Sequence, residues 1–317
     1  MSESPCRVGL AKQNNRRDNI FHAMDLVRED LLPKIADQVL LKPNFLSNKN
    51  QLASSHADAM RGAIDFLLTC PNPPSEIIIA EGGNEDHSGE CFEVFGYHDL
   101  IDEYDVEVRL VDLNQETDWQ QETIYLHDRE EYVVNMPKTV LDCPCTISVA
   151  IAKTHDVGCV TLALKNMIMG TIRQQDRVKM HGYPEHKDRE LPTESQRLAV
   201  NLIRLTQYLQ PDIGVIDGTV GLQGNGPGGT DTVELGVGAA SADVFAVDAV
   251  IAKIMGFEPM SLGLLQYAHT LGLGVADLEQ IQVLGSTIAD TAVAFTPHDD
   301  NDLQLQWQDD QAAGYLP

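Results

Sequence analysis

Apolar residues recur at helical spacing over residues 19–35, at Ile20, Met24, Val27 and Leu31, and Pro33 marks the expected end of that helix. A short β-like run at 38–41 stops at Lys42-Pro43-Asn44. Helical spacing returns over 53–68 and closes at Pro71, Pro73 and Pro74, before an apolar strand at 76–80 that leads into Glu81-Gly82-Gly83-Asn84. Residues 105–113 alternate as a strand, and 122–135 read as one or two antiparallel strands at an edge. A buried strand at 146–152 carries Lys153-Thr154-His155 at its carboxyl end. Then come a helix at 193–209, with Thr193 as its cap and Leu198, Leu202, Leu205 and Leu209 on one face, and a strand at 213–216 ended by Asp217-Gly218. A strand at 232–237, helices at 243–255 and 258–271, and a strand at 280–284 complete the pattern.

Strands alternating with crossover helices predict an α/β fold with a mainly parallel sheet and antiparallel edge strands. The expected organisation is a single α/β unit over 1–285, or two lobes divided near 135–142, followed by an acidic tail, 286–317, packed on the surface. In open α/β sheets the ligand crevice lies outside the carboxyl ends of the strands. Four predicted strands end in polar residues: Lys42 and Asn44, Glu81 and Asn84, Lys153 and His155, and Asp217. In a parallel sheet these share one rim; the plainer reading is that strand ends generally meet polar turns.

With 317 residues, 43% hydrophobic and 22% charged, the chain is ordinary globular material. A net charge of −26 changes the picture more, because binding to nucleic acid or to anionic membranes requires a broad basic surface; neither is an expected partner. The amino-terminal residues hold no apolar signal segment and no window has membrane-spanning length, so a cytoplasmic location is expected. Cys143-Pro144-Cys145 fits neither a C-x-x-C redox motif nor an iron–sulfur run, so buried free thiols are expected and no iron–sulfur cluster motif is present.

Against this acidic background, 6 of the 22 basic residues fall between Lys165 and Arg189, beside the run AKTHDVGCVTLALKN that ends at Asn166. Either this is a solvated loop, diluted by Asp176, Glu185, Asp188 and Glu190, or its field attracts a small anion, the reading we favour. Lys165 sits among apolar residues, where an amine acts as a base of depressed pKa or stays charged opposite an anion. His155 and His181 are candidates for proton transfer, or are hydrogen-bonded structural histidines. Lys42, Asn44, Lys153, Asn166, Asp217, Gly226 and Gly228 are candidate substrate-binding residues. Were a metal present, His155, His181 and Asp217 would be its ligands, although the spacing of His181 and His186 gives no helical zinc motif. The glycine run 224–229 formally matches G-x-G-x-x-G but lacks the strand and helix of a dinucleotide fingerprint, leaving an anion nest or a plain turn. Asp248, embedded in an apolar helix, is expected to brace a neighbouring loop through backbone amides.

The segments LLKPN (40–44), AKTH (152–155), LALKNMIMG (162–170), the GPGG within 216–229, and AVDAVIAKIMG (246–256) resemble the family catalogued as domain of unknown function 362, in the right order over 39–274. The resemblance places polar family positions at Lys42, Asn44, Lys153, His155, Lys165, Asn166, His181, Asp217 and Asp248. It implies bacterial and archaeal relatives, often carrying ferredoxin-like iron–sulfur segments that this chain lacks, and no settled activity. The expected function is an enzyme that binds a small anionic metabolite, a carboxylate or phosphate ester, in a Lys/His-lined cleft and carries out acid/base chemistry. The alternatives are a metal-dependent hydrolase and a non-catalytic protein that binds or matures a metal or redox cofactor. A separate redox partner and a homo-oligomer stay open.

Overall fold

Five adjacent parallel strands carry the centre of the protein. The computed structural model describes residues 5–84 and 89–317. Its strands are β1 (Cys6–Ala11), β2 (Gln38–Lys42), β3 (Glu76–Glu81), β4 (Glu107–Asp112), β5 (Trp119–Tyr125), β6 (Glu131–Pro137), β7 (Thr146–His155), β8 (Cys159–Thr161), β9 (Ile213–Leu222), β10 (Thr232–Val233), β11 (Val237–Ser241) and β12 (Ile281–Gly285). The main sheet runs β12-β1-β11-β9-β7-β2-β3-β4, with β8 on β7 and β10 on β9. From β9 to β4 the spine pairs in parallel, as do β1 and β12; β11 is antiparallel to both β1 and β9.

Both faces of this sheet are covered, which is why its strands read as unbroken apolar runs. Val39, Leu41, Ile77 and Ile79 face a core closed by helices α1 (Arg16–Leu26) and α2 (Ala57–Leu68). Leu40, Ile78 and Ala80 face the other, closed by α3 (Ala163–Thr171), α4 (Thr193–Leu209), α5 (Val244–Ile254) and α6 (Gly263–Thr270). The period of two along each strand thus divides one apolar run between two cores.

Several expected elements are redrawn. The helix expected over 19–35 stops at Leu26, gives one short turn at Arg28–Leu31, and ends in a 3₁₀ turn, Leu32–Lys34, whose first turn accepts Pro33 because proline has no amide hydrogen to satisfy there. β5 and β6 form their own two-stranded sheet instead of extending an edge. The strand expected over 232–237 is split at Gly236, whose φ of 71° turns the chain between β10 and β11. Thr193 is the first helical residue of α4, not its cap. The basic stretch is no simple loop: Lys165 stands in the first turn of α3, and 3₁₀ turns cover Gln174–His181 and His186–Asp188. Strand β1 has no counterpart in the periodicity pattern.

All six cysteines are free, five of them buried. Beyond β12 the chain runs back over the β9 end and α6, where Phe295 fills the space a side chain at Gly221 would need and Trp307 fills that at Gly263.

Candidate active site

The carboxyl ends of β2, β3 and β7, the start of α3, the turn Gln174–His181 and the bend at Pro227-Gly228 line a cleft of about 470 Å³. Of the predicted residues, Asn44, Lys153, His155, Lys165, Asn166, His181 and Gly228 line it. Parallel pairing of β7 with β2 and of β2 with β3 sets these strand ends side by side.

Lys42 lies behind the wall and is completely buried. Its ammonium donates to the Pro43 carbonyl (2.7 Å), to Asn166 Oδ1 (2.7 Å) and to the Glu81 carboxylate, so all three N–H groups are taken and none is left for a ligand. Burial pulls the Lys42 ammonium below its ordinary range and pushes the Glu81 carboxyl up, while their mutual attraction opposes both. Gly170 makes the arrangement fit, because a Cβ there would come within 2.0 Å of Lys42 Nζ.

Asn166 joins this pair to the cleft. Its Oδ1 also accepts from Asn44 Nδ2 (3.0 Å), and its Nδ2 donates to the Lys42 carbonyl (3.2 Å) and Ser148 Oγ (3.0 Å). Asn44 Oδ1 in turn accepts from Lys153 Nζ (2.6 Å), whose other acceptor is the Ala53 carbonyl (3.1 Å). Among the described residues no carboxylate pairs with Lys153, and burial, followed by the charges of Lys165 and Lys42, pulls its ammonium down to about 7.

Lys165 Nζ lies 2.8 Å from His155 Nε2. At the far side of that ring, Nδ1 meets Asp156 Oδ1 at 3.0 Å and the amides of Val157 (3.0 Å) and Gly158 (3.3 Å). A neutral imidazole cannot satisfy all of them at once. With the proton on Nδ1 it donates to Asp156, and Nε2 accepts from a lysine ammonium. With the proton on Nε2 the backbone amides donate to Nδ1, and Lys165 must be a neutral amine. The pair therefore has partners for both its protonated and its deprotonated form. Burial first, then Lys165, hold the His155 imidazole down at about 3, whereas burial brings Lys165 down to about 8 against the pull of Asp156.

His181 stacks on His155 with ring centroids 6.3 Å apart and planes 20° from parallel. Its Nδ1 contacts Glu194 Oε1 at 2.7 Å, and burial lowers its pKa. Arg189 donates to that same Glu194 and, at 3.0 Å, to Asp156 Oδ2, so one guanidinium holds the carboxylates behind both histidines. Arg177, also on the cleft, donates to the carbonyls of Ile172 (3.2 Å) and Gly82 (2.9 Å). Asp156 and Glu194 escaped the sequence reading; the first directly follows His155, and the second sits in the first turn of α4, where acidic residues are commonplace.

Asp248 reaches from α5 to accept from the amides of Ala163 (2.8 Å) and Leu164 (3.1 Å), capping α3 from outside because Leu162 at its N-cap provides no side-chain acceptor. That bracing fixes the first turn of the helix, which carries Lys165 and Asn166. Asp217 lies in the middle of β9 and does not line the cleft; its carboxylate is held by Arg16 and caps the Thr219 amide at 2.9 Å. Among the described residues no three His, Cys, Asp or Glu side chains converge as a metal-ligand set, so Asp217 does not join His155 and His181. Gly226 packs against the Thr154 carbonyl, where a Cβ would come within 2.2 Å, and its amide is bonded to Gly224 O (2.8 Å).

The profile described as "Domain of unknown function (DUF362)" matches residues 39–253. The chain belongs to this family. Every DUF362 position that builds the cleft network, from Lys42 to Asp248, lies inside that match. A thylakoid-associated protein of Synechocystis sp., sll1697, is 28% identical over 140 residues, which are 44% of this chain and only 41% of that protein. The lactate racemase apoprotein from Thermoanaerobacterium thermosaccharolyticum superposes with a TM-score of 0.43 at 12% identity, covering 68% of this chain and 50% of that one. Among the described residues no helix is long and apolar enough to cross a membrane.

Proposed function

We propose that this DUF362 protein is an enzyme that holds a small anionic metabolite, a carboxylate or phosphate ester, in the cleft and exchanges a proton with it through the Lys165–His155 pair. The observation that carries the reading is the contact between Lys165 Nζ and His155 Nε2 at 2.8 Å on the wall of a cleft that Lys153 also lines. Lys153 uses two of its three N–H groups within the protein, and Lys165 uses one, so both keep donors for an anion. A bound anion would favour the charged Lys153 ammonium, which helps stabilise negative charge as it develops in the transition state. Lys165 in its neutral form accepts the ligand's proton, becomes the ammonium and gives the proton back, while His155, with its own proton on Nδ1 toward Asp156, accepts from that ammonium through Nε2.

The test has two steps. A thermal-shift screen of carboxylates and phosphate esters on the full chain identifies stabilising ligands, since a ligand that prefers the native state raises its melting temperature. Each hit is then followed by NMR in heavy water for exchange of its carbon-bound hydrogens or for conversion. Ligand-dependent exchange that disappears in Lys165→Met supports the proposal. Failure of every anion to stabilise the protein, or exchange undiminished in that variant, overturns it.

A further inference from the structure

The ionisable groups other than histidine that line the cleft are Lys153, Lys165, Arg177 and Arg189 against Glu81 and Asp156, a surplus of two positive charges when the amines are protonated. Directly behind the wall, Lys42 is bonded to Glu81, and Glu194 is shared by His181 and Arg189. The surplus can be placed. Arg189 is held between Asp156 and Glu194, Lys165 lies in the field of Asp156, and Lys42 is paired with Glu81. Lys153 has only an amide oxygen and a carbonyl as acceptors, and Arg177 has only carbonyls; among the described residues neither is within 4.0 Å of a carboxylate.

Both are nearly buried, Lys153 at 1% and Arg177 at 7% exposure. Enclosing a charge opposite neutral acceptors alone is costly, and a fold keeps it where a partner of opposite sign arrives from outside. Lys153 comes from the end of β7 and Arg177 from the 3₁₀ turn after α3, so the two charges reach the cleft from different elements. We propose that the ligand of this cleft is a dianion, a phosphate monoester or a dicarboxylate, with Lys153 and Arg177 as its charge partners. This rests on the anion-site reading above and narrows it to one class of anion.

Matched probes that differ by one charge test it on the full chain at pH 7.5: phenyl phosphate against phenyl methyl phosphate, and succinate against monomethyl succinate, each titrated by calorimetry. In the wild type the dianion of at least one pair binds about tenfold more tightly than its singly charged methyl ester, and the pair that discriminates identifies phosphate or carboxylate as the headgroup. In Lys153→Met and in Arg177→Met that preference falls to about threefold or less. Lys153→Met without ligand melts at or above the wild type, because the cost of enclosing that ammonium, or of removing its proton on folding, has gone, which separates lost binding from lost folding. Equal binding of the dianion and its singly charged methyl ester in both pairs overturns the inference and leaves the anion-site reading standing. So does a preference that survives in both variants. No binding by any of the four probes overturns both.

Discussion

The Lys165 amine and the His155 imidazole meet at 2.8 Å, and their surroundings exchange the roles that residue type alone suggests. The imidazole, held down at about 3, stays neutral through the physiological range, and the amine, brought to about 8, is the group that changes charge there. In protein carrying ¹³C-labelled lysine, one resonance, assigned by its absence in Lys165→Met, should titrate with a midpoint near 8. A midpoint above 10 for that resonance would remove the amine as a proton acceptor near neutrality.

Lys153 makes stability depend on pH with a definite sign. Its folded-state value of about 7 lies below the ordinary 10.5, so between these limits the unfolded chain binds more protons and stability rises with pH. Denaturant melts of the wild type and Lys153→Met, compared from pH 7 to pH 10, should show the wild type gaining on the variant as pH rises. A bound anion should flatten that difference by keeping the ammonium charged. A constant gap between the two proteins would contradict the assignment.

Arg189 ties Asp156 to Glu194, so its removal should disturb both histidines together. Arg189→Gln is expected to cost about 1.5–3 kcal/mol, the range for hydrogen bonds to charged groups, and to shift the imidazole ¹⁵N signals of both His155 and His181. Arg189→Lys restores the charge without the planar fork and should recover less than half of the loss. A shift confined to one ring would mean that the bridge does not couple them.

Asp248→Ala leaves two amides at the start of α3 without an acceptor. The expected loss is about 2 kcal/mol, with Asp248→Asn intermediate because one amide oxygen still accepts. Hydrogen exchange at Ala163 and Leu164 should accelerate more than at the carboxyl end of the helix. Uniform acceleration would point to general destabilisation instead of a lost cap.

Glu81→Gln strands the Lys42 ammonium in a fully buried site. A loss of about 3–5 kcal/mol is expected, and pairing the change with Lys42→Met should recover much of it. If the double variant is no more stable than Glu81→Gln alone, the pair's burial is not the source of the loss.

Much of this arrangement was legible in the chain, for reasons that can be named. The unbroken apolar runs ending in Lys42, Glu81 and Lys153 belong to parallel strands covered on both faces, and parallel pairing brings their ends together whatever the intervening helices do. Lys165 and Asn166 stood out because polar groups inside an apolar stretch need partners. Asp217 misled because a polar residue after an apolar run looks like a strand end; β9 continues to Leu222, and the carboxylate is taken by Arg16, 201 residues away in the chain. No local signal could pair Arg189 with Asp156 or Asp248 with the amides of α3, since such contacts exist only after the helices have packed. Lys42 was legible as chemistry but not as depth: nothing at Gly170 announces that its missing side chain makes room for the ammonium.

Gln304, far along the acidic tail, donates its side-chain amide at 2.9 Å to the carbonyl of His155, and Trp307 beyond it closes over α6. Those residues lie more than fifty positions past the last one matched by the family profile, and β1 and β12, which complete the sheet, also fall outside it. The stretch that kinship delimits is thus narrower than the sheet and its coverings. A fragment trimmed to the shared core would keep the lysines and histidines but lose the clasp that steadies one of them.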